Sequence, residues 1–80
     1  MKFEVVGNGC RKCMELEKRV KEAVSALGIE AEVEHVYDIS RLADMGVVST
    51  PALIMDGKPI LSGMLPTVEY LVNLIRSKAA

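Results

Sequence analysis

From Arg11 to Leu27 the apolar residues Cys13, Leu16, Val20, Val24 and Leu27 recur at steps of three, four, four and three. That spacing marks one face of an α-helix. Its other face carries Glu15, Lys18, Arg19 and Glu22, and the pairs Glu15–Arg19 and Glu17–Lys21 stand in the favourable i, i+4 order. Gly28 is positioned to stop the helix, because glycine takes the left-handed conformation cheaply. The segments on either side read as strands. Lys2 to Val6 (KFEVV) is apolar and β-branched at its centre and runs into the loop GNG. Ile29 to Val36 sets Ile29, Ala31 and Val33 against Glu30, Glu32 and Glu34, the pattern of a half-exposed strand whose glutamate row suits a sheet edge. Two strands joined by one helix must run parallel with a right-handed crossover.

The second half completes the sheet. Asp38 can cap a short helix from Ile39 to Met45, with Leu42 and Ala43 inward and Gly46 stopping it. Ala52 to Met55 is a short apolar run, so a strand buried on both faces. Asp56-Gly57 is a hairpin signal, both residues tolerating positive φ. Lys58 to Ser62 returns as the partner strand, kept to an edge by Pro59, which cannot donate to a ladder. Pro66 pre-sets φ for a last amphipathic helix carrying Val68, Leu71, Leu74 and Ile75, to about Ser77. The order is β-α-β-α-β-β-α: an α/β fold with a mixed four-stranded sheet and helices covering its faces. At 80 residues the chain is expected to be one domain, 1–80.

Two cysteines, Cys10 and Cys13, sit three apart at the junction of the first strand and the first helix. The first N–H groups of a helix lack internal partners, and the helix dipole favours negative charge beside them. A thiolate at Cys10 gains from both, and Arg11 and Lys12 add cations, although two solvated side chains would look the same. Cys13, one turn on, starts the apolar face and should be buried. Such a pair either cycles between dithiol and disulfide or grips a soft metal, Cu(I) or Zn(II). As a structural staple it would close too short a loop to constrain much unfolded-chain entropy.

The bulk properties narrow the setting. Net charge is −1 with acidic and basic residues interleaved, a poor electrostatic case for nucleic acid. No apolar run approaches the roughly 18 residues of a membrane span, and MKFEVVGNG lacks the apolar core of a signal peptide. A cytoplasmic, monomeric protein is expected, and in that reducing compartment a lone C-x-x-C points to redox or metal chemistry.

With C-R-K-C after the first strand, V-x-S-T-P-A-L opening the third and the D-G hairpin following, the chain resembles the thioredoxin superfamily over nearly its whole length. The likeness is to its small glutaredoxin-sized, redox-active disulfide members. The resemblance implies a thioredoxin-like fold, its strands ordered second, first, third, fourth with helices on both faces, and a thiol–disulfide oxidoreductase with Cys10 as nucleophile and Cys13 as resolving thiol. It implies a cis Thr50–Pro51 bond facing the cysteines, a substrate groove at Thr50, Pro51 and Gly63, and no cofactor beyond the cysteine pair. Disulfide-containing protein substrates and a thioredoxin-reductase-like electron donor are the implied partners. This chain departs from the family pattern with Gly9 before the first cysteine, no proline between the two, Gly63-Met64-Leu65 in place of a Gly-Gly pair, and no carboxylate placed for proton transfer.

The metal-carrier alternative has its own pattern. Heavy-metal-associated domains also put a C-x-x-C at a helix start, but they run β-α-β-β-α-β and carry methionine where this chain has Asn8. A closed zinc site needs about four ligands, and His35, at a strand end, reads as an ordinary structural residue. A thioredoxin-shaped scaffold without turnover is a third reading. The five methionines read as core or groove filling.

Overall fold

Strand β1 (Lys2–Val6) lies at the centre of the computed structural model, which describes residues 1–9, 11–47 and 49–79, the side chains of 41 and 79 excepted. Helix α1 (Arg11–Leu27) carries the chain to β2 (Glu32–Val36), which pairs parallel to β1 in the register Phe3–Val33, Val5–His35. A short α2 (Ser40–Asp44) leads to β3 (Ala52–Met55), antiparallel to β1, and β4 (Lys58–Ser62) closes the sheet before α3 (Val68–Ala79). The strand order is β2-β1-β3-β4, with β1 and β3 paired at the centre, the order the resemblance implies.

Alternation along the central strands sorts the core into two layers. Phe3 and Val5 of β1 and Leu53 and Met55 of β3 face one way, against Leu16, Val20 and Ala23 of α1 and Leu71 and Ile75 of α3. Val6, Ala52 and Ile54 face the other way, beneath Leu42 of α2. Because β1 and β3 have neighbours on both edges and helices on both faces, all four residues of β3 are buried. The β3–β4 hairpin turns at Asp56 (φ +49) and Gly57 (φ +85), and the tip is tied back to β1 by Lys2 N–H donating to Asp56 Oδ1 at 2.8 Å and Asp56 N–H to Lys2 O at 2.8 Å. The β3–β4 register shifts between Leu53 and Ile54, opposite Leu61 and Pro59, so the proline occupies an irregular edge position.

Several local expectations need correction. β2 begins at Glu32, not Ile29, since β1 begins at Lys2 and offers no partner further back; Glu32 N–H instead bonds Met1 O at 3.0 Å. Ile29 and Ala31 still pack on the larger core layer. α2 spans only Ser40–Asp44, so one turn presents Leu42 inward while Ala43 is exposed. Its N-cap is Ile39 without a side-chain bond; Asp38 Oδ1 instead accepts from the N–H and the hydroxyl of Ser40. α3 is capped by Thr67, whose Oγ1 accepts from Tyr70 N–H at 3.1 Å, and Pro66 is buried just ahead of it. Arg19, assigned to the solvated face of α1, bonds Glu15 at 3.1 Å and also donates to Pro66 O at 2.8 Å, bracing α1 against the approach to α3. Among the described residues no helix is long and apolar enough to cross a membrane.

Candidate functional site

α1 starts at Arg11, the residue after Cys10, and its apolar stripe brings Cys13 inward until it is fully buried. Cys10 itself lies outside the described residues. Gly7, the first residue beyond β1, is the joint of the site. A Cβ built there would overlap Cys13 Sγ, lie 3.3 Å from Cys13 Cβ and reach within 3.8 Å of Pro51 Cα. Only glycine lets the end of β1, the first turn of α1 and the approach to β3 converge this closely.

The Thr50–Pro51 peptide bond is cis, with Pro51 buried and Thr50 exposed. Pro51 O accepts from Gly63 N–H at 2.9 Å. Gly63 has φ +71, and a Cβ there would come within 2.7 Å of Ser49 Cβ, so both its conformation and its neighbour demand glycine. The fold therefore brings Cys13, Pro51 and Gly63 together, with Thr50 at the open side. Arg11 and Lys12 are exposed on the first turn of α1, where no acidic residue stands. Met64 is exposed, whereas Leu65 packs on the larger core layer.

His35 has more partners than a strand-end position suggested. Alternation along β2 places it on the same side as Val33, toward α1. There Nδ1 lies 3.0 Å from Glu17 Oε1, Nε2 lies 3.3 Å from Gly7 O, and the ring stacks on Tyr37 with centroids 4.1 Å apart and planes within 3°. Glu17 also holds Lys21 Nζ at 2.9 Å. The Lys21 hydrogen bond, with help from His35, keeps the Glu17 carboxyl below its ordinary 4.5 against the opposing effect of burial. A depressed native pKa contributes stability above the unfolded-state value, and that contribution is lost as pH falls through the native value. Urea unfolding should therefore find Glu17→Gln less stable than the parent at about pH 7, with the gap closing by about pH 3. Equal gaps at both would remove Glu17 from the acid limb.

Glu4 also escaped the sequence reading. It is 7% exposed on the middle strand β1, on the face it shares with Val6, and is the buried charged residue among those described. The strand pattern KFEVV concealed it, because a polar residue at an alternate position ordinarily marks a solvent face.

A family model described as Thioredoxin domain matches residues 1–76. The chain belongs to the thioredoxin family. Among curated members, it is 33% identical over 75 residues to a protein named Thioredoxin from Methanothermobacter thermautotrophicus (strain Delta H), covering 94% of this chain and 97% of that one. It is 36% identical over 75 residues to another protein named Thioredoxin, from Methanocaldococcus jannaschii, covering 94% of this chain and 86% of that one. The thioredoxin-like α/β order and the β2-β1-β3-β4 sheet accord with that membership.

Proposed function

We propose that this thioredoxin-family chain is a thiol–disulfide oxidoreductase that cycles a Cys10–Cys13 pair on disulfide-containing proteins. The observation that carries the reading is the convergence at Gly7, where the buried Cys13 sulfur and Pro51 approach the same missing side chain. The Cys10 thiolate attacks a substrate disulfide, forming a Cys10–substrate bond and expelling the first substrate thiolate. Cys13 gives up its proton and attacks the Cys10 sulfur. The intramolecular disulfide forms, and the second substrate thiolate leaves. Substrate gains two electrons, which the pair regains from a dithiol donor, with a thioredoxin-reductase-like flavoenzyme as the physiological source. The dithiol carries the electrons without another cofactor.

The remaining assignments follow from position. The Arg11 and Lys12 charges and the start of α1 favour the thiolate at Cys10. Thr50, exposed beside Pro51, offers its backbone to an extended substrate segment, and Gly63 keeps the opposite rim free of a side chain. A reducing, cytoplasmic setting suits such a pair.

An equilibrium titration against a dithiothreitol redox buffer, in chelator-treated solution with intact-mass detection, tests this reading. One two-electron transition mapped to Cys10–Cys13 supports it. A pair that stays reduced throughout and binds Cu(I) or Zn(II) stoichiometrically would replace it with metal carriage.

A further inference from the structure

We propose that His35, anchored by Glu17 and stacked on Tyr37, is a positioning residue for the Gly7–Gly9 loop and through it governs the attack of Cys13 on the mixed disulfide. The inference rests on the disulfide-exchange reading and adds to it a residue outside the C-x-x-C and the proline groove.

One residue, Gly7, touches both His35 and Cys13. Its Cα packs against the Cys13 sulfur, its N–H donates to Val36 O at 3.0 Å, and its carbonyl oxygen faces His35 Nε2 at 3.3 Å. β2 therefore grips Gly7 twice, through the Val36 backbone and the His35 ring. Two residues on, Gly9 (φ +85) stands immediately before Cys10, and a Cβ there would come within 2.9 Å of Tyr37 Cε2. The stacked His35–Tyr37 pair thus underlies the loop at both ends. Glu17 fixes the ring from α1, one turn beyond Cys13 on the same helix. Helix, loop and edge strand are joined at a side chain only 6% exposed.

The hydrogen-bond inventory makes the arrangement sensitive to protons. Carboxylate and carbonyl oxygens only accept. Both ring contacts are hydrogen bonds only when Nδ1 and Nε2 each carry a proton, and a neutral ring keeps one of the two. Among the described residues, the titratable and charged groups facing the ring are Glu17 with Lys21 behind it on α1, Cys13 across Gly7, and Tyr37 stacked on it. A brace that merely ties β2 to α1 would affect stability alone. A positioning residue also changes the rate and pH profile of the step performed by Cys13.

The test isolates that step. The full chain carrying thionitrobenzoate on Cys10 releases thionitrobenzoate anion when the Cys13 thiolate attacks the Cys10 sulfur. The Cys10–thionitrobenzoate bond breaks, the Cys10–Cys13 bond forms, and the Cys13 proton passes to solvent. His35→Phe keeps a ring against Tyr37 but loses both bonds. It is expected to slow release about tenfold, as a small misplacement of reacting atoms does, and to change its pH profile. His35→Gln, able to donate to one acceptor, should recover part of the rate. Glu17→Gln, which leaves the ring in place and weakens its anchor, serves if His35→Phe fails to fold, and should slow release about threefold. Folded variants with lowered thermal stability but parental rate and pH profile would overturn the proposal and leave the exchange reading intact. Failure of the parent to release thionitrobenzoate would overturn both.

Discussion

Cys13→Ser is expected to stop multiple turnover and leave substrate proteins covalently joined to Cys10. The first exchange needs only one thiolate, so the mixed disulfide still forms. Its release needs a second sulfur, and Cys13, the other cysteine of the sequence, is fully buried beneath Gly7. A serine hydroxyl is far too weakly acidic to attack a disulfide at neutral pH. Non-reducing electrophoresis of the variant with a disulfide-bearing protein should show a new species that dithiothreitol removes. The same species from Cys10→Ser, or free turnover by Cys13→Ser, would exchange the roles of the two cysteines or dissolve the distinction between them.

Gly7→Ala is expected to lower both stability and turnover. The added methyl would occupy the volume of Cys13 Sγ and crowd Cys13 Cβ at 3.3 Å, with Pro51 Cα at contact distance behind it. Overpacking of this kind costs about 1–3 kcal/mol, and in a domain of this size each kcal/mol moves the melting temperature by roughly 4–8 °C. Relief requires the Cys13 side chain or the loop to shift, and either changes where the Cys13 sulfur lies relative to the Gly7–Gly9 loop. Thermal unfolding should show the loss, and disulfide reduction well below the new midpoint should still be slow. Parental activity in a destabilised variant would mean that Gly7 serves packing alone. Parental values of both would contradict the convergence itself.

Much of this fold was legible because local patterns and tertiary demands agree. The apolar stripe of α1 is the face that packs on the sheet, and the four-residue run of β3 is buried because it lies between two strands and two helical layers. Asp56-Gly57 turns where its positive-φ tolerance allows. The errors arose where a neighbour sets the boundary. The apolar alternation at Ile29 and Ala31 continues beyond the last partner that β1 supplies, so packing persists there while strand pairing stops. In α2 a helix of one turn has room to bury one residue, and Leu42 takes that place ahead of Ala43.

The site was legible in part for a related reason. Cys13, Thr50, Pro51 and Gly63 lie in short motifs, and three of these come together in space through Gly7 and one hydrogen bond. His35 and Glu17 are 18 residues apart and meet only because a parallel pairing stacks β2 beside β1 beneath α1. The available signals were indirect: His35 shares the inward parity of Val33, and Glu17 stands four residues after Cys13. Gly7 reads as the start of the GNG loop, since nothing local reveals that a cysteine six residues later will fill the space of its missing side chain.

On the proposed reading, Cys10 and Cys13 together transfer electrons to protein disulfides. Its most direct test is reduction of insulin by dithiothreitol in metal-free buffer, comparing the parent chain with Cys10→Ser. Accelerated reduction by the parent and only the uncatalysed rate with Cys10→Ser are expected. Equal rates with both proteins, whether fast or at background, would contradict it.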